Sequence, residues 1–566
     1  MKNEQVTKIL NEVADMLEMQ GIEFKPQAYR KAARTIDSLA EPIEQVYAKG
    51  ELEELTGIGP SIAKKIGEII DTGSLKYHEE LKKKTPVNLE ELLSVEGIGP
   101  KTVGLLYKRL GVTSLEELER VAKEHKIRDV KGLGKKTEEN VIESIGLARA
   151  KKERKLLGIA DQLAESICKR LAKHAVKVDV AGSLRRMKET VGDVDILAVT
   201  TNAGSLSNFF VKMPEVAKVL GSGETKSSVL LRDGLQVDLR VVEEKSYGSA
   251  LMYFTGSKDH NIALRKLAIE KGMKLSEYGL FRKESQIAGG TEEEVYNELG
   301  LEYVPPELRE DQGEISAAAN HNLPKLIPYD SIRGDLQTHS TWSDGHRSIE
   351  EMARAAQELG YSYIAVTDHY SPIPVVHGLN ERRVKQQAAE IDQINERLED
   401  IQILKGAEVD ISSDGILTAP KDVLRELDLV VASIHSAFKQ TKKTMTDRMI
   451  TAMENEHVDI IGHPTSRKIN RKNPCEIDLY EVFDASKRTG TYLEVNASPE
   501  RLDLSDANVR LAMKAGCRLA INTDAHDKEE LWNIRYGIAE ARRGWATAAD
   551  IINTRNLDDL RKLLKK

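Results

Sequence analysis

The apolar and polar positions divide the chain into stretches of different period. Residues 1–150 carry apolar side chains at helical spacing almost throughout, beginning with the amphipathic run MKNEQVTKILNEVADMLEMQ. They predict an α-helical N-terminal region. From about 155 to 245 the helical run ADQLAESICKRLAKH leads to three alternating segments, VKVDVAGS, VGDVDILAVT and LQVDLRVV. These predict strands of an α+β unit. Residues 246–317 read as a smaller mixed unit, and 318–332, with Pro324 and Pro328, as a loop-like linker. From 333 to 566 short β-rich runs alternate with helices, the rhythm of an α/β barrel. The runs end at GDLQTH, YIAVTDH, ILKGAEVD, LVVASIH, DIIGHP, YLEVNAS and LAINTDAH.

A repeat lies inside the helical region. TGIGPSIAKKI begins at Thr56, EGIGPKTVGLL at Glu96 and KGLGKKTEENV at Lys131. Each pairs glycines around an apolar residue (Gly57 and Gly59, Gly97 and Gly99, Gly132 and Gly134) with a polar helix start. Glycine permits the tight turn, and the new helix presents unpaired backbone N–H groups. One such corner reads equally well as a plain helix-turn-helix; three copies favour sequence-independent binding of a DNA backbone.

Composition adds bounds. At 566 residues the chain is too long for one core. No apolar run is long enough for a membrane span, and the acid-containing N-terminus does not read as a secretory signal. Only Cys168, Cys475 and Cys517 are present, scattered, which points to a reduced cytoplasm. The net charge of -8 neither indicates nor excludes nucleic acid, because local placement of basic residues decides.

Asp193 and Asp195 alternate in a predicted strand, so both carboxylates share one face; Asp238 lies on another strand. Three converging carboxylates need divalent cations, and a pair of Mg²⁺ ions held this way performs in-line phosphoryl transfer. The plain alternative is a solvated strand edge. Upstream, GSLRR at 182–186 offers a hydroxyl, backbone amides and two arginines suited to a triphosphate.

With YFTGSKDHNIALRKLAIEKGMKLSEYGLF from Tyr253, residues 1 to about 317 closely resemble the family X DNA polymerases. The resemblance implies a lyase-like helical domain (1–80), a helix-hairpin-helix domain (81–154), a nucleotidyltransferase palm (155–245) and a small thumb (246–317). It implies that Asp193, Asp195 and Asp238 hold Mg²⁺ or Mn²⁺, with Asp238 helping to deprotonate the primer 3′-OH. Ser183, Arg186 and the Gly192 backbone would hold phosphates, and Tyr253 and Phe254 would pack on the sugar. Gly256 and Ser257 would form the family's unusual turn, while Asn261 and Arg265 would reach the new base pair and template. Gln236 and Lys258 depart from the family's best-known member, which has an arginine and an aspartate there. LTGIGPSIAKKIGEII resembles the stretch with the Schiff-base lysine, which would be Lys65; Ser61 stands where a second lysine is expected. A plain surface lysine is the alternative.

In the C-terminal part, His339, His369, Glu408, His435, His463, Asp524 and His526 each follow a predicted strand, and in an α/β barrel such ends converge. Imidazoles mixed with carboxylates suit Zn²⁺, Mn²⁺ or Fe²⁺. LQTHSTWSDG, TDH, GAE, SIH, GHP and NTDAH resemble the PHP (polymerase and histidinol phosphatase) domain, a distorted TIM-like barrel of about seven strands, over 333–566. The resemblance implies two or three ions held by position 337, His339, Asp344, His369, Glu408, His435, His463, Asp524 and His526. Gln337 departs from the common histidine and would weaken one metal; Asp368 would orient a ligand, and His346 and His377 remain ordinary loop residues.

The expected protein is a monomer acting on gapped or nicked DNA and dNTPs in the cytoplasm, near the nucleoid. It would fill short gaps distributively, preferring a 5′-phosphate bound by the N-terminal region, and process 3′ ends or abasic sites. Alternatives make the C-terminal domain a small-molecule phosphatase or a metal-stabilised scaffold. A nucleotidyltransferase acting on RNA is opposed by the hairpin repeats and YFTGS.

Overall fold

The computed structural model describes residues 3–37, 39, 42–95, 97–152 and 154–565; Met1 and Lys2 of the first helical run and Glu96 of the second repeat lie outside them. The predicted helical region is helical, and its two halves share one apolar core running from Val6 to Ile145. Closeness between the halves depends on Gly104: a Cβ there would stand 2.2 Å from the carbonyl oxygen of Met19. All three glycine hairpins form. Gly57, Gly97 and Gly132 take φ of 89°, 82° and 96°, a region that disfavours other residues. The helices Pro60–Thr72, Pro100–Leu110 and Lys135–Lys152 then begin at once, two of them with proline in the first turn.

The palm is a five-stranded sheet in the order Lys177–Val180, Asp193–Val199, Gln236–Val241, Lys226–Leu231, Val216–Ser222. Only the pair Asp193–Val199 and Gln236–Val241 is parallel. Three of these strands follow the alternation expected from sequence. The hairpin of Val216–Ser222 and Lys226–Leu231 was not anticipated, because the edge strand is mostly exposed on both faces and carries no alternating signal. The thumb packs helices Tyr247–Thr255, Lys258–Glu270 and Glu292–Glu298 with a three-stranded antiparallel meander.

Residues 320–332 are tied down. Ile327 is fully buried, its N–H donates to Ala546 O at 3.0 Å, and Arg542 Nη1 donates to its carbonyl at 2.7 Å. Seven parallel strands follow in sequence order from Gly334–Thr338 to Leu519–Asn522, and a bridge from Thr338 to Ala525 brings the two ends together. Strand alternation sorts residues between two cores: Leu429 and Val431 join one with Leu560 of the C-terminal helix, while Val430 and Ala432 join the other. Leu502 and Tyr536 of the C-terminal domain are buried in the palm core, so palm and barrel pack directly.

Candidate metal centres

In the palm, the parallel register sets Asp195 opposite Asp238 and Asp193 opposite Gln236. Val194, between the two aspartates, is fully buried on the other face. Burial and the neighbouring charges of Asp193 and Asp238 push the Asp195 carboxyl up to about 6. Burial also works against charge on Asp238, but hydrogen bonds from Gln236 Nε2 (2.9 Å) and Lys226 Nζ (3.0 Å) hold it below the usual range. The turn 182–185 approaches so closely that a Cβ on Gly182, at φ +65°, would stand 2.6 Å from Asp195 Oδ2. Repelling carboxylates gathered on one face fit divalent cations, which would relieve that repulsion.

The residues expected at the nucleotide lie on palm and thumb elements. Arg186 donates from Nε to Glu310 Oε1 at 3.1 Å and from Nη1 to the Thr255 carbonyl. Arg185 is held by both oxygens of Glu292, at 2.8 and 2.7 Å. Both arginines therefore face thumb partners, and a phosphate would compete with Glu310 for Arg186. Ser183 lies in the short helix Gly182–Arg185. Beside Gly192, a Cβ would stand 2.9 Å from Arg154 Nη1. The rings of Tyr253 and Phe254 meet edge to face at 5.1 Å, with Arg240 above Phe254 at 4.1 Å. Asn261 Nδ2 donates to the Tyr253 carbonyl at 2.7 Å, and Arg265 Nε to the Asn261 carbonyl at 3.4 Å. The Gly256–Ser257 peptide is cis. Lys258 pairs with Asp37 of the N-terminal region at 2.6 Å.

Lys65 lines a separate pocket of about 490 Å³ with Gly57, Gly59, Ser61, Lys25 and two tyrosines. Its Nζ lies 3.1 Å from Ser61 Oγ and over the rings of Tyr29 and Tyr77, at 5.7 and 5.4 Å from their centroids.

The barrel gathers a second cluster at the C-terminal ends of its strands. Among the described residues, three overlapping groups place their ligand atoms within 4.8 Å: His339, Asp344, His369 and His526; His369, Glu408 and His435; His339, Glu408 and Asp524. His463 Nε2 joins at 3.2 Å from Glu408 Oε1. Eight of the nine expected positions thus converge. Gln337, the ninth, is fully buried beside them: its Nε2 is 3.4 Å from Asp524 Oδ1, and its Oε1 has no hydrogen-bond partner. Both oxygens of Glu408 are likewise buried without a well-aligned hydrogen bond. Such a donor set fits Zn²⁺, Mn²⁺ or Fe²⁺.

Electrostatics agree with that fit. Burial disfavours charge on His435 and His526, yet Glu408 and Asp410 raise the first to about 10, and Asp344 and Asp524 raise the second to about 9. Burial and Arg501 instead drive His463 down to about 4. Where protons are the only cations these carboxylates draw them onto the rings; a metal ion competes for the same lone pairs.

Supporting residues emerge that sequence reasoning missed. Asp410 accepts from His435 Nδ1 at 2.7 Å and fixes that ring. Its signal was present in GAEVD, because Glu408 and Asp410 alternate onto one face. Glu494 accepts the His463 backbone N–H at 2.7 Å and Asn522 Nδ2 at 2.9 Å. Asp368 accepts from Ser340 N, Ser340 Oγ, Ser343 Oγ and Gln387 Nε2, anchoring the loop between His339 and Asp344. His346 and His377 are exposed loop residues.

Residues 1–75 match the family described as Helix-hairpin-helix domain, 89–146 the SAM-like Helix-hairpin-helix tandem, 250–310 the DNA polymerase beta thumb and 335–498 the PHP domain. The chain is 39% identical to "DNA polymerase/3'-5' exonuclease PolX" of Bacillus subtilis over 573 residues, covering 100% of both chains. A probable phosphatase of Thermoanaerobacter sp. is 30% identical over 245 residues, 41% of this chain and 94% of that protein. DNA polymerase lambda of Rattus norvegicus is 26% identical over 338 residues, 54% and 56% of the two chains. End-to-end correspondence, a polymerase-beta-type thumb behind tandem hairpins and a PHP domain at the C-terminus together establish that the chain belongs to the PolX family of DNA polymerases.

Proposed function

We propose that the chain fills short gaps in DNA at the palm and removes nucleotides from 3′ ends, or cleaves at abasic sites, in the barrel cleft. The observation that carries this reading is the pair of separate ligand clusters, one of three carboxylates on the palm sheet and one of imidazoles and carboxylates at the barrel mouth. Asp193, Asp195 and Asp238 would hold Mg²⁺ or Mn²⁺, which supply Lewis acidity for in-line transfer. Ser183, Arg186 and Gly192 bind the phosphates, Tyr253 and Phe254 flank the sugar, and Asn261 and Arg265 lie toward the base pair. The hairpin glycines receive the DNA backbone, and the Lys65 pocket receives the 5′ end of the gap. There the Lys65 amine, set beside Ser61 and two tyrosine rings, would add to C1′ of an abasic sugar, with water leaving as the imine forms.

At the barrel, His339, Asp344, His369, Glu408, His435, His463, Asp524, His526 and Gln337 would hold two or three Mn²⁺, Zn²⁺ or Fe²⁺ ions, which supply hydroxide from bound water. Asp410 and Glu494 orient the ligands. Lys468 and Arg501 line the same cleft and would meet a phosphate there. The protein works as a monomer near the nucleoid.

A 5′-labelled primer on gapped DNA with Mn²⁺, with and without dNTPs, tests the assignment. Asp193→Ala/Asp195→Ala should only shorten the primer, and His339→Ala/His435→Ala should only extend it. The similarity to a probable phosphatase makes a small phosphoester the comparison substrate. Hydrolysis of that substrate with no attack on DNA would overturn the DNA role of the barrel.

A further inference from the structure

The cleft at the barrel mouth has a volume of about 820 Å³, and the barrel does not build it alone. Leu156, Gly158, Ile159 and Gln162, at the start of the palm helix Leu157–Leu171, line it together with His369, His435 and Asp524. Ile159 is the notable member. Its neighbour Ala160 is buried in the palm core and Gly158 is buried against Pro499 of the barrel domain, whereas Ile159 is 47% exposed and faces the cleft. An aliphatic side chain beside a cluster of charged ligands serves no core. From the barrel side, Ile373 and Val376 add apolar surface.

The palm helix is fixed against the barrel by close contacts. A Cβ on Gly158 would stand 2.8 Å from Pro499 Cγ and 3.4 Å from Tyr536 Cε2, so this approach requires glycine. Asp161 Oδ2 accepts from Arg535 Nη2 at 2.7 Å and from the Tyr536 hydroxyl at 3.1 Å. Asn470 Nδ2 donates to the Arg154 carbonyl at 3.0 Å. The helix start is therefore part of the cleft wall and not a passing neighbour.

We infer that the polymerase palm supplies the nucleoside-binding wall of the hydrolytic cleft, with Ile159 and Leu156 receiving the sugar and base of an unpaired 3′-terminal nucleotide. This rests on the 3′-end reading above and adds which residues choose the substrate. A volume of this size falls within the range of about 300–1,000 Å³ typical of small-ligand pockets, which suits a nucleotide or two and not a duplex. Nucleobases present apolar faces that pack on side chains irrespective of sequence, so the wall discriminates unpaired from paired ends and not one base from another. Lys468 and Arg501, which line the cleft, meet the phosphates. In the reaction, water adds its oxygen to phosphorus and the bond to the penultimate 3′ oxygen breaks. That oxygen takes a proton to become the new 3′-hydroxyl, and the terminal nucleotide leaves as its 5′-monophosphate.

The test uses the full-length Mn²⁺-loaded protein without dNTPs, comparing wild type with Ile159→Asp and Ile159→Ala. Substrates are a 5′-labelled single-stranded oligonucleotide and bis(p-nitrophenyl) phosphate, which has no nucleoside. Ile159→Asp should raise KM for the oligonucleotide by about tenfold or more, with Ile159→Ala intermediate. Gap filling with dNTPs and Tm should stay at wild-type levels, and KM for the small diester should change several-fold less than KM for the oligonucleotide. Equal loss on both substrates, or an unchanged KM for the oligonucleotide, would overturn the wall. Wild-type protein that never shortens DNA would overturn the 3′-end reading itself, and this inference with it.

Discussion

Gln236 and Asp238 alternate on one strand, and the Gln236 amide donates to Asp238 Oδ1 at 2.9 Å. The neutral amide thereby orients the third carboxylate of the palm without adding charge, while Lys226 meets its other oxygen at 3.0 Å. Removing an orienting partner of a metal-binding group typically costs about 10- to 100-fold. Gln236→Ala should slow single-nucleotide insertion by about that factor and leave 3′-end removal intact. Pre-steady-state insertion on gapped DNA measures the first, and digestion without dNTPs the second.

Gln337 sets its amide nitrogen 3.4 Å from Asp524 Oδ1 and leaves its buried amide oxygen without a hydrogen-bond partner, at the position where the resemblance to the PHP domain implies histidine. An amide oxygen is a weaker ligand for Zn²⁺ or Mn²⁺ than an imidazole nitrogen. Gln337→His should therefore tighten retention of one ion, by about tenfold on the scale of single-ligand effects. Metal content after graded dialysis against a chelator provides the readout, and equal loss from both proteins would contradict it.

Glu540 is buried where the barrel meets the palm and accepts the Asp506 N–H at 2.6 Å. Burial and the nearby Asp506 charge raise its carboxyl from 4.5 to about 8. Between those values the folded chain holds a proton that the unfolded chain releases. Stability from this group is thus fully present below 4.5 and is lost as the pH rises through about 8. Glu540→Gln should flatten that fall and stabilise the protein at alkaline pH by roughly 2 kcal/mol or more. Urea unfolding from pH 5 to pH 9 would show it.

Gly158 allows the palm helix to touch Pro499. Gly158→Leu should cost about 1–3 kcal/mol through overpacking. Because the wedge lies at the cleft, 3′-end removal should fall further than gap filling. Pro499→Ala in the same chain should restore part of the Tm, as expected for residues in contact. Additive losses in the double variant would mean that the two positions do not press on each other.

Much of the molecule was legible in the chain. The D-x-D alternation placed Asp193 and Asp195 on one face because a strand repeats every second residue. The barrel histidines were found because each ends an apolar run, and parallel strands in sequence order bring their C-terminal ends to one rim. The edge hairpin 216–231 escaped, since a strand exposed on both faces leaves no pattern. Asp410 shares a face with Glu408 through its E-x-D spacing, but its role and that of Glu494 rest on contacts with His435 and His463 from other strands, which no local pattern marks.

Ligand type, strand phase and hairpin glycines are local properties, and the sequence by itself determined them: the donor chemistry of both centres and the helical, palm and barrel rhythms. Contacts between distant segments are not local, and tertiary structure alone decided them. Arg186 meets Glu310, Lys258 meets Asp37, and Ile159 reaches a cleft whose ligands begin at Asp344. Nothing in the run LGIADQLAES marks one isoleucine as facing another domain's metal ligands. That follows only from the packing of Gly158 on Pro499, two surfaces joined by shape and not by any repeat in the chain.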